Sequence, residues 1–149
     1  MTERLIPFTS EQVEACTELY MQVFNNEPWN ETWTYQSARE RLTDLQRTPK
    51  FLGYLLYKDD RLMGFIAGNS KKSYTGFTFY AAELCIDNWE QGNGYGTKLL
   101  TYLEERLKSI GVESLYLLTA NDGKAKVFYQ KNDYFVHDNR VVMKKFLSK

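Results

Sequence analysis

Gly92, Gly94 and Gly96 put three glycines within five residues, at a point where an apolar run ends and a helical pattern begins. Glycine lets the backbone adopt left-handed angles and approach a ligand closely. The start of the following helix offers unpaired N–H groups and the positive end of a dipole, which together form an anion site. A pyrophosphate is the natural occupant, and a tight turn that holds nothing is the other reading of the same residues. A dinucleotide fingerprint would need its third glycine where Thr97 stands, and would open the fold rather than arrive at residue 92. A P-loop would need Gly-Lys-Ser/Thr where this chain has Thr97-Lys98-Leu99. No Ser/His/Asp or Cys/His grouping supports a covalent mechanism, since the single histidine, His137, falls in a late strand-end loop. Cys16 and Cys85 lie on different elements without metal-ligand spacing. Both are expected to be reduced and packed, and no metal site is expected.

The elements that must position this turn follow from periodicity. Leu5, Ile6 and Phe8 read as an opening strand. Thr9 and Gln12 have the spacing of a capping box ahead of a helix whose inner face carries Val13, Cys16, Tyr20 and Val23. Asn25-Asn26-Glu27-Pro28 ends that helix, because a residue before proline is pushed from helical angles. Tyr35, Ala38, Leu42 and Leu45 mark a second helix, closed by Pro49. Residues 51–57 and 62–68 form a hairpin around Lys58-Asp59-Asp60-Arg61. A polar loop at Lys71-Lys72-Ser73 precedes a longer, aromatic-rich strand over 77–86. After the glycines, Leu99, Leu103, Leu107 and Ile110 define a helix that Gly111 stops. A strand at 115–118, a short helix at 125–131 and a closing strand at 141–147 complete the chain. This order predicts an α/β (α+β) fold: a mixed central sheet of six to seven strands, about four helices on both faces, and a parallel crossover between residues 84 and 118.

At 149 residues the chain is expected to be a single domain, residues 1–149, able to bury a core without staples. Nineteen basic residues balance nineteen acidic ones, so no whole-molecule field draws nucleic acid or an anionic membrane. The opening Met1-Thr2-Glu3-Arg4 leads into only a short apolar stretch, and no window approaches a membrane span. A cytoplasmic location is expected, and a homodimer stays open.

Gln91-Gly92-Asn93-Gly94-Tyr95-Gly96 matches the Q/R-x-x-G-x-G/A signature of the GCN5-related N-acetyltransferases, the GNAT superfamily. The flanks agree, with Leu84-Cys85-Ile86-Asp87 before the turn and Thr97-Lys98-Leu99-Leu100 after it. Downstream, Asn121 and Ala125-Lys126-Val127-Phe128-Tyr129-Gln130-Lys131 resemble the family's N-x-x-A-x-x-F-Y-x-K segment. The sharp motifs lie between residues 83 and 135, while the element order resembles the family over nearly the whole chain. There are two departures. One extra residue separates Asn121 from Ala125, so Asn121 or Asp122 takes the family asparagine's place. The usual Gly-Phe is Asp133-Tyr134 here.

The resemblance implies acetyl-coenzyme A as cosubstrate. It further implies that the backbone of Leu84, Cys85 and Ile86 pairs with the pantetheine arm like an added strand, in a splayed slot beside Ile86. The amides of Gln91, Gly92, Asn93, Gly94, Tyr95, Gly96 and Thr97 would cradle the pyrophosphate, with Asn121 and Tyr129 also on the coenzyme. The implied chemistry is direct attack of an amine on the thioester. Tyr129 matches the acid position, and a tyrosine with a pKa of about 10 stays protonated at neutral pH. Glu83 stands where several family members keep a glutamate and would act as base, directly or through water. A second position that is often glutamate falls near Leu117, which cannot ionise. The acceptor, in this fold, lies near the first two helices and the loop before the central strand, where Glu27, Trp29, Trp33 and Tyr80 combine acidic and aromatic groups. That mixture suits a cationic amine. Two other readings stand beside this one: a non-catalytic acetyl-coenzyme A sensor, and a nucleotide-binding protein using the glycine turn differently.

Overall fold

The computed structural model describes residues 2–148. Its contacts divide the chain into a unit ending at Leu118 and a smaller one beginning at Thr119.

The first unit holds a five-stranded sheet in the order β1 (Glu3–Pro7), β2 (Phe51–Lys58), β3 (Arg61–Lys72), β4 (Phe77–Ile86) and β5 (Val112–Tyr116). The first four strands run antiparallel to their neighbours and β5 runs parallel to β4. Ser10–Gln12 form a short 3-10 turn under the Thr9–Gln12 capping box, in which the Thr9 N–H donates to Gln12 Oε1 at 2.7 Å. Helix α1 (Val13–Phe24) comes directly after it. Helix α2 (Tyr35–Gln46) is started by Thr34, whose hydroxyl accepts from the Ser37 N–H at 3.0 Å. Helix α3 (Tyr95–Ser109) makes the crossover between β4 and β5.

Strand alternation sorts the core into two layers. Leu55, Phe65, Ala67 and Cys85 face α1 and α2, packed with Val13, Cys16, Tyr20, Val23, Ala38 and Leu42. Tyr54 and Ile66 point the other way, toward α3, where Tyr54 meets Tyr102 edge-on at 4.9 Å between ring centres. Leu99, Leu103 and Leu107, the spaced leucines of α3, are all buried. Cys16 and Cys85 are free and fully buried, and burial raises both thiol pKa values well above the ordinary value.

The ladder between β3 and β4 carries one irregularity. Ala67 pairs with Glu83, yet Gly68 pairs with Ala81, so Ala82 is an extra residue on β4. Such a bulge puts the two halves of a strand out of phase. Glu83 and Cys85 therefore face α1 and α2, and Tyr80, opposite Asn69, is brought to that same face while Phe79 turns to the α3 side.

The second unit contains helix α4 (Lys124–Lys131), with chain of no regular secondary structure after it. The expected closing strand at 141–147 does not form, and the sheet has five strands rather than six to seven among the described residues. Val141, Val142 and Met143 have strand-like composition, but a strand exists only through a neighbour's ladder. Here these side chains remain largely exposed and take no strand pairing. The expected loop at Lys71-Lys72 is instead the end of β3, and the turn falls at 73–76, where the Ser73 hydroxyl donates to the Gly76 carbonyl.

Candidate active site

The parallel pairing of β4 with β5 covers only Phe77 to Tyr80, the last pair being Tyr80 with Tyr116. From Ala81 to Ile86, β4 has β3 on one side and no strand on the other within the first unit. The open edge starts well before Ile86, where the sequence places the slot. It contains Leu84, Cys85 and Ile86, the residues whose main-chain groups are expected to bind ligand. The Ile86 carbonyl already accepts from the Gln91 side-chain amide at 3.0 Å, which ties the strand end to the glycine turn.

The turn itself has the geometry that glycine alone adopts freely. Gly92 and Gly94 lie at φ +89° and +86°, and a Cβ at either would meet no protein atom within 4 Å. Gly94 is the N-cap of α3 and supplies no side chain to the helix end. Lys98 is the first α3 residue whose N–H is used within the chain, by the Gly94 carbonyl at 3.0 Å. The N–H groups of Tyr95, Gly96 and Thr97 reach no protein acceptor among the described residues. A helix end of this kind favours an anion through its N–H groups and its dipole together. Asn93 has a structural task, since its side chain donates to Glu90 at 3.0 Å and its N–H to the Glu90 carbonyl. The Tyr95 side chain is buried, leaving its backbone as the part that faces the turn.

Two residues that the sequence does not single out hold the entry to this turn. Asp87, almost fully buried, caps the 3-10 turn Asn88–Glu90 by accepting from the Trp89 N–H at 2.9 Å. Arg61, from the start of β3, bridges Asp87 at 3.1 Å and Glu90 at 3.4 Å. The hairpin signal at Lys58–Arg61 locates the arginine without disclosing its partners.

Glu83 is 7% exposed and carries two partners, both on the same oxygen. Tyr20 of α1 donates its hydroxyl to Glu83 Oε2 at 3.3 Å, and Arg41 of α2 brings Nε and Nη2 to that oxygen, each at 3.0 Å. Burial, the dominant influence, pushes the Glu83 carboxyl above its usual range, against the opposing pull of Arg41. The Tyr20 hydroxyl is raised too, first by burial and then by the neighbouring carboxylate. A carboxylate perturbed upward by burial is suited to accept a proton near neutral pH. In the sequence Tyr20 reads only as a core position on α1, and nothing in the helical pattern of α2 marks Arg41.

Aromatic groups surround this carboxylate. Tyr80 is half-buried and stacks on Tyr116 at 5.0 Å. Trp33 meets Tyr20 edge-on at 5.3 Å and lies under the Arg41 guanidinium at 5.7 Å. Its backbone is fixed by Asn25, which both donates and accepts, and its indole N–H donates to Glu31 at 2.6 Å. Trp29 packs on Phe24 at 5.1 Å and is 37% exposed. Glu27 is exposed in the same α1–α2 connection. Of the four acceptor candidates, the structure thus gathers Trp33 and Tyr80 close to Glu83 and puts Trp29 and Glu27 further along the connecting loop. A separate groove of about 450 Å³, lined by Leu5, Leu56, Thr97 and Tyr102, opens on the α3 side of the sheet. It lies on the opposite face from Glu83.

In the second unit, Tyr129 is half-buried on α4 and meets Phe128 and Tyr134 edge-on at 5.1 and 5.7 Å. Asn121 is exposed and accepts from Lys126 Nζ at 3.2 Å. No group of metal-ligating side chains occurs among the described residues, and no described helix is long and apolar enough to cross a membrane.

Known proteins are similar to this chain in sequence or in fold. YdhI of Bacillus subtilis (strain 168), itself uncharacterised, is 31% identical over 86 residues, 53% of this chain and 54% of that one. The chain thus spans about half the length of that curated relative in the match. A structure described as a possible acetyltransferase of Clostridium difficile 630 superposes with a TM-score of 0.83 at 10% identity, covering 99% of this chain and 100% of that one. The aminoglycoside N-acetyltransferase AAC(6')-Iy, solved in complex with CoA, superposes with a TM-score of 0.76 at 10% identity, covering 99% and 96%. At these identities the likeness is one of fold. The family model of the GNAT acetyltransferases matches residues 13–134, which include the glycine turn, Glu83 and Tyr129, and the chain belongs to the acetyltransferase (GNAT) family.

Proposed function

We propose that this protein transfers an acetyl group from acetyl-coenzyme A to a primary amine of a small molecule or peptide. The observation that carries the reading is the unpaired half of β4 running straight into a glycine turn and an uncapped helix start. An extended amide-bearing arm suits the strand edge, and a pyrophosphate suits the helix end. The open space at the Gly92 and Gly94 Cβ positions fits a ligand that approaches the backbone closely.

The thioester supplies an acyl carbon open to attack and a thiol leaving group. Before attack the acceptor ammonium loses one proton, and Glu83 is the group proposed to take it, directly or through a water. Attack forms the N–C bond and breaks the C–S bond, so a negative charge passes through the carbonyl oxygen to sulfur. A backbone N–H of β4 would stabilise the oxygen charge. Tyr129, at the acid position that the family resemblance implies, would donate its hydroxyl proton to the departing sulfur. The acylated nitrogen gives up its second proton, which returns to Tyr129 through solvent, and Glu83 releases the first to solvent. The aromatic groups Trp33 and Tyr80 would wall the acceptor, with Trp29 and Glu27 at its approach.

The test is a thermal-shift series with acetyl-coenzyme A, coenzyme A and nicotinamide dinucleotides, then thiol release against diverse amines. Binding of the coenzyme and thiol release that depends on an amine support the reading. The absence of any shift at millimolar acetyl-coenzyme A removes it.

A further inference from the structure

Glu83 and Arg41 meet in an unusual way. An arginine and a carboxylate commonly pair as two parallel bonds, nitrogen to oxygen on each side. Here Nε and Nη2 of Arg41 converge on the single oxygen Oε2 of Glu83, which also accepts from Tyr20. Glu83 Oε1 takes no hydrogen bond among the described residues, and it is not one of the oxygens sealed from solvent without a partner, so it stays open to a donor although the side chain as a whole is only 7% exposed. A carboxylate oxygen open in this way suits a charged donor, and an ammonium most of all. On the other partner, the guanidinium has used only the edge formed by Nε and Nη2. On its second edge Nη1 takes no described bond and Nη2 keeps its other N–H beside it, and 51% of the side chain is exposed. That edge is the fork that matches a carboxylate end-on.

We propose that the acceptor is a small amino acid, bound with its amine at Glu83 Oε1 and its carboxylate on the open edge of Arg41. The inference rests on the acetyltransferase reading and narrows its substrate class. A zwitterion matches the pair charge for charge, and one ion pair separates the two docking points. That suits the few-carbon span between amine and carboxylate in an amino acid. A polyamine or aminoglycoside would instead bring further cations toward Arg41, against like charge. Tyr20 and Trp33 hold the pair from beneath, Tyr20 by its hydroxyl and Trp33 by its ring under the guanidinium.

The experiment compares matched acceptors on the full chain: amino acids, their carboxamides and the corresponding decarboxylated amines. Thiol release gives kcat/KM for each, after acetyl-coenzyme A binding has been established by thermal shift. The free carboxylate is expected to raise kcat/KM by about 10- to 100-fold over the amide, the range for one hydrogen-bonded charged contact. Arg41→Gln should bring that ratio close to one, whatever it does to the absolute rates, because Glu83 also loses its partner. Arg41→Lys keeps the charge without the fork and should retain only part of the preference. A purely structural Arg41 would lower all rates together and leave the ratio intact. Equal or better turnover of amides and decarboxylated amines by the wild type overturns the inference, as does an unchanged ratio in Arg41→Gln or inertness of every amino acid while coenzyme binds. Failure to bind acetyl-coenzyme A is a different result, and it removes the acetyltransferase reading itself.

Discussion

Replacing Gly94 by valine separates the strain of the turn from its service to a ligand. Gly94 sits at φ +86°, and its added Cβ would meet nothing within 4 Å. The fold therefore bears only the left-handed backbone cost, about 1–2 kcal/mol for an L-residue and more for a β-branched one. Against a stability of about 5–15 kcal/mol, the variant should stay folded. Its side chain, however, would project beside the free N–H groups of Tyr95 to Thr97, where a phosphate must approach. For the wild type, acetyl-coenzyme A at about 100 times its Kd contributes about 2.7 kcal/mol. At roughly 2–4 °C per kcal/mol for a chain of this size, the melting temperature should rise by about 5–11 °C. Differential scanning fluorimetry with and without coenzyme should show that rise in the wild type and none in Gly94→Val. Gly94→Asn serves as the control for strain, because asparagine tolerates the left-handed region while still adding bulk. It should lose the ligand shift with a smaller fall in baseline stability. A folded Gly94→Val protein that binds coenzyme with unchanged affinity would show that the helix end is not the phosphate site.

The same geometry fixes further outcomes. Tyr129→Phe keeps the ring and removes the proton, so turnover should fall by roughly 10²–10⁴-fold with coenzyme affinity kept within a few-fold. Full activity would take Tyr129 out of the proton path. Glu83→Gln should lower turnover over a similar range and abolish the acid limb of the kcat/KM profile, which in the wild type should lie above the ordinary glutamate value of 4.5. The same raised carboxyl has a stability consequence of defined sign. Its contribution is fully present below pH 4.5 and is lost as pH climbs through the raised value, so denaturant melts should show the wild type losing ground to Glu83→Gln across that window. Gly68→Ala would drive a Cβ into the Tyr80 carbonyl and the Phe79 ring, and urea titration should show a loss of about 1–3 kcal/mol or more.

The helical faces, the hairpin and the crossover were legible because each rests on local periodicity and turn chemistry. Thr9 and Gln12 announce α1, and Gly111 announces the end of α3, before any tertiary contact has to be known. The glycine turn is legible for the same reason, since left-handed angles at Gly92 and Gly94 are a requirement that the residue type discloses. What stays hidden depends on partners distant in the chain. Arg41 lies 42 residues before Glu83, on the outer side of a helix whose apolar spacing says nothing of an ion pair. Arg61 reaches Asp87 across 26 residues for the same kind of reason. The segment at 141–147 misleads because strand composition is a preference for a pleated, half-buried surface, and only a neighbouring strand makes it real. The bulge at Ala82 is invisible for a subtler cause: both alanines at 81 and 82 are compatible with either face.

That extra alanine also shapes how this chain can change over generations. Deleting Ala82 would leave Gly68 opposite Ala81 and Asn69 opposite Tyr80, so Phe79 and Tyr80 would keep their faces. The costly change is the opposite one, a slip that takes Ala82 into the ladder opposite Gly68 and shifts 77–81 by one place. A fully buried ring would then turn toward the Glu83 side, and a tyrosine now stacked at that side would be driven under α3. The strand can therefore lose a codon here more readily than it can flatten its bulge. A homologue one residue shorter at this point would still hold its tyrosine on the Glu83 face.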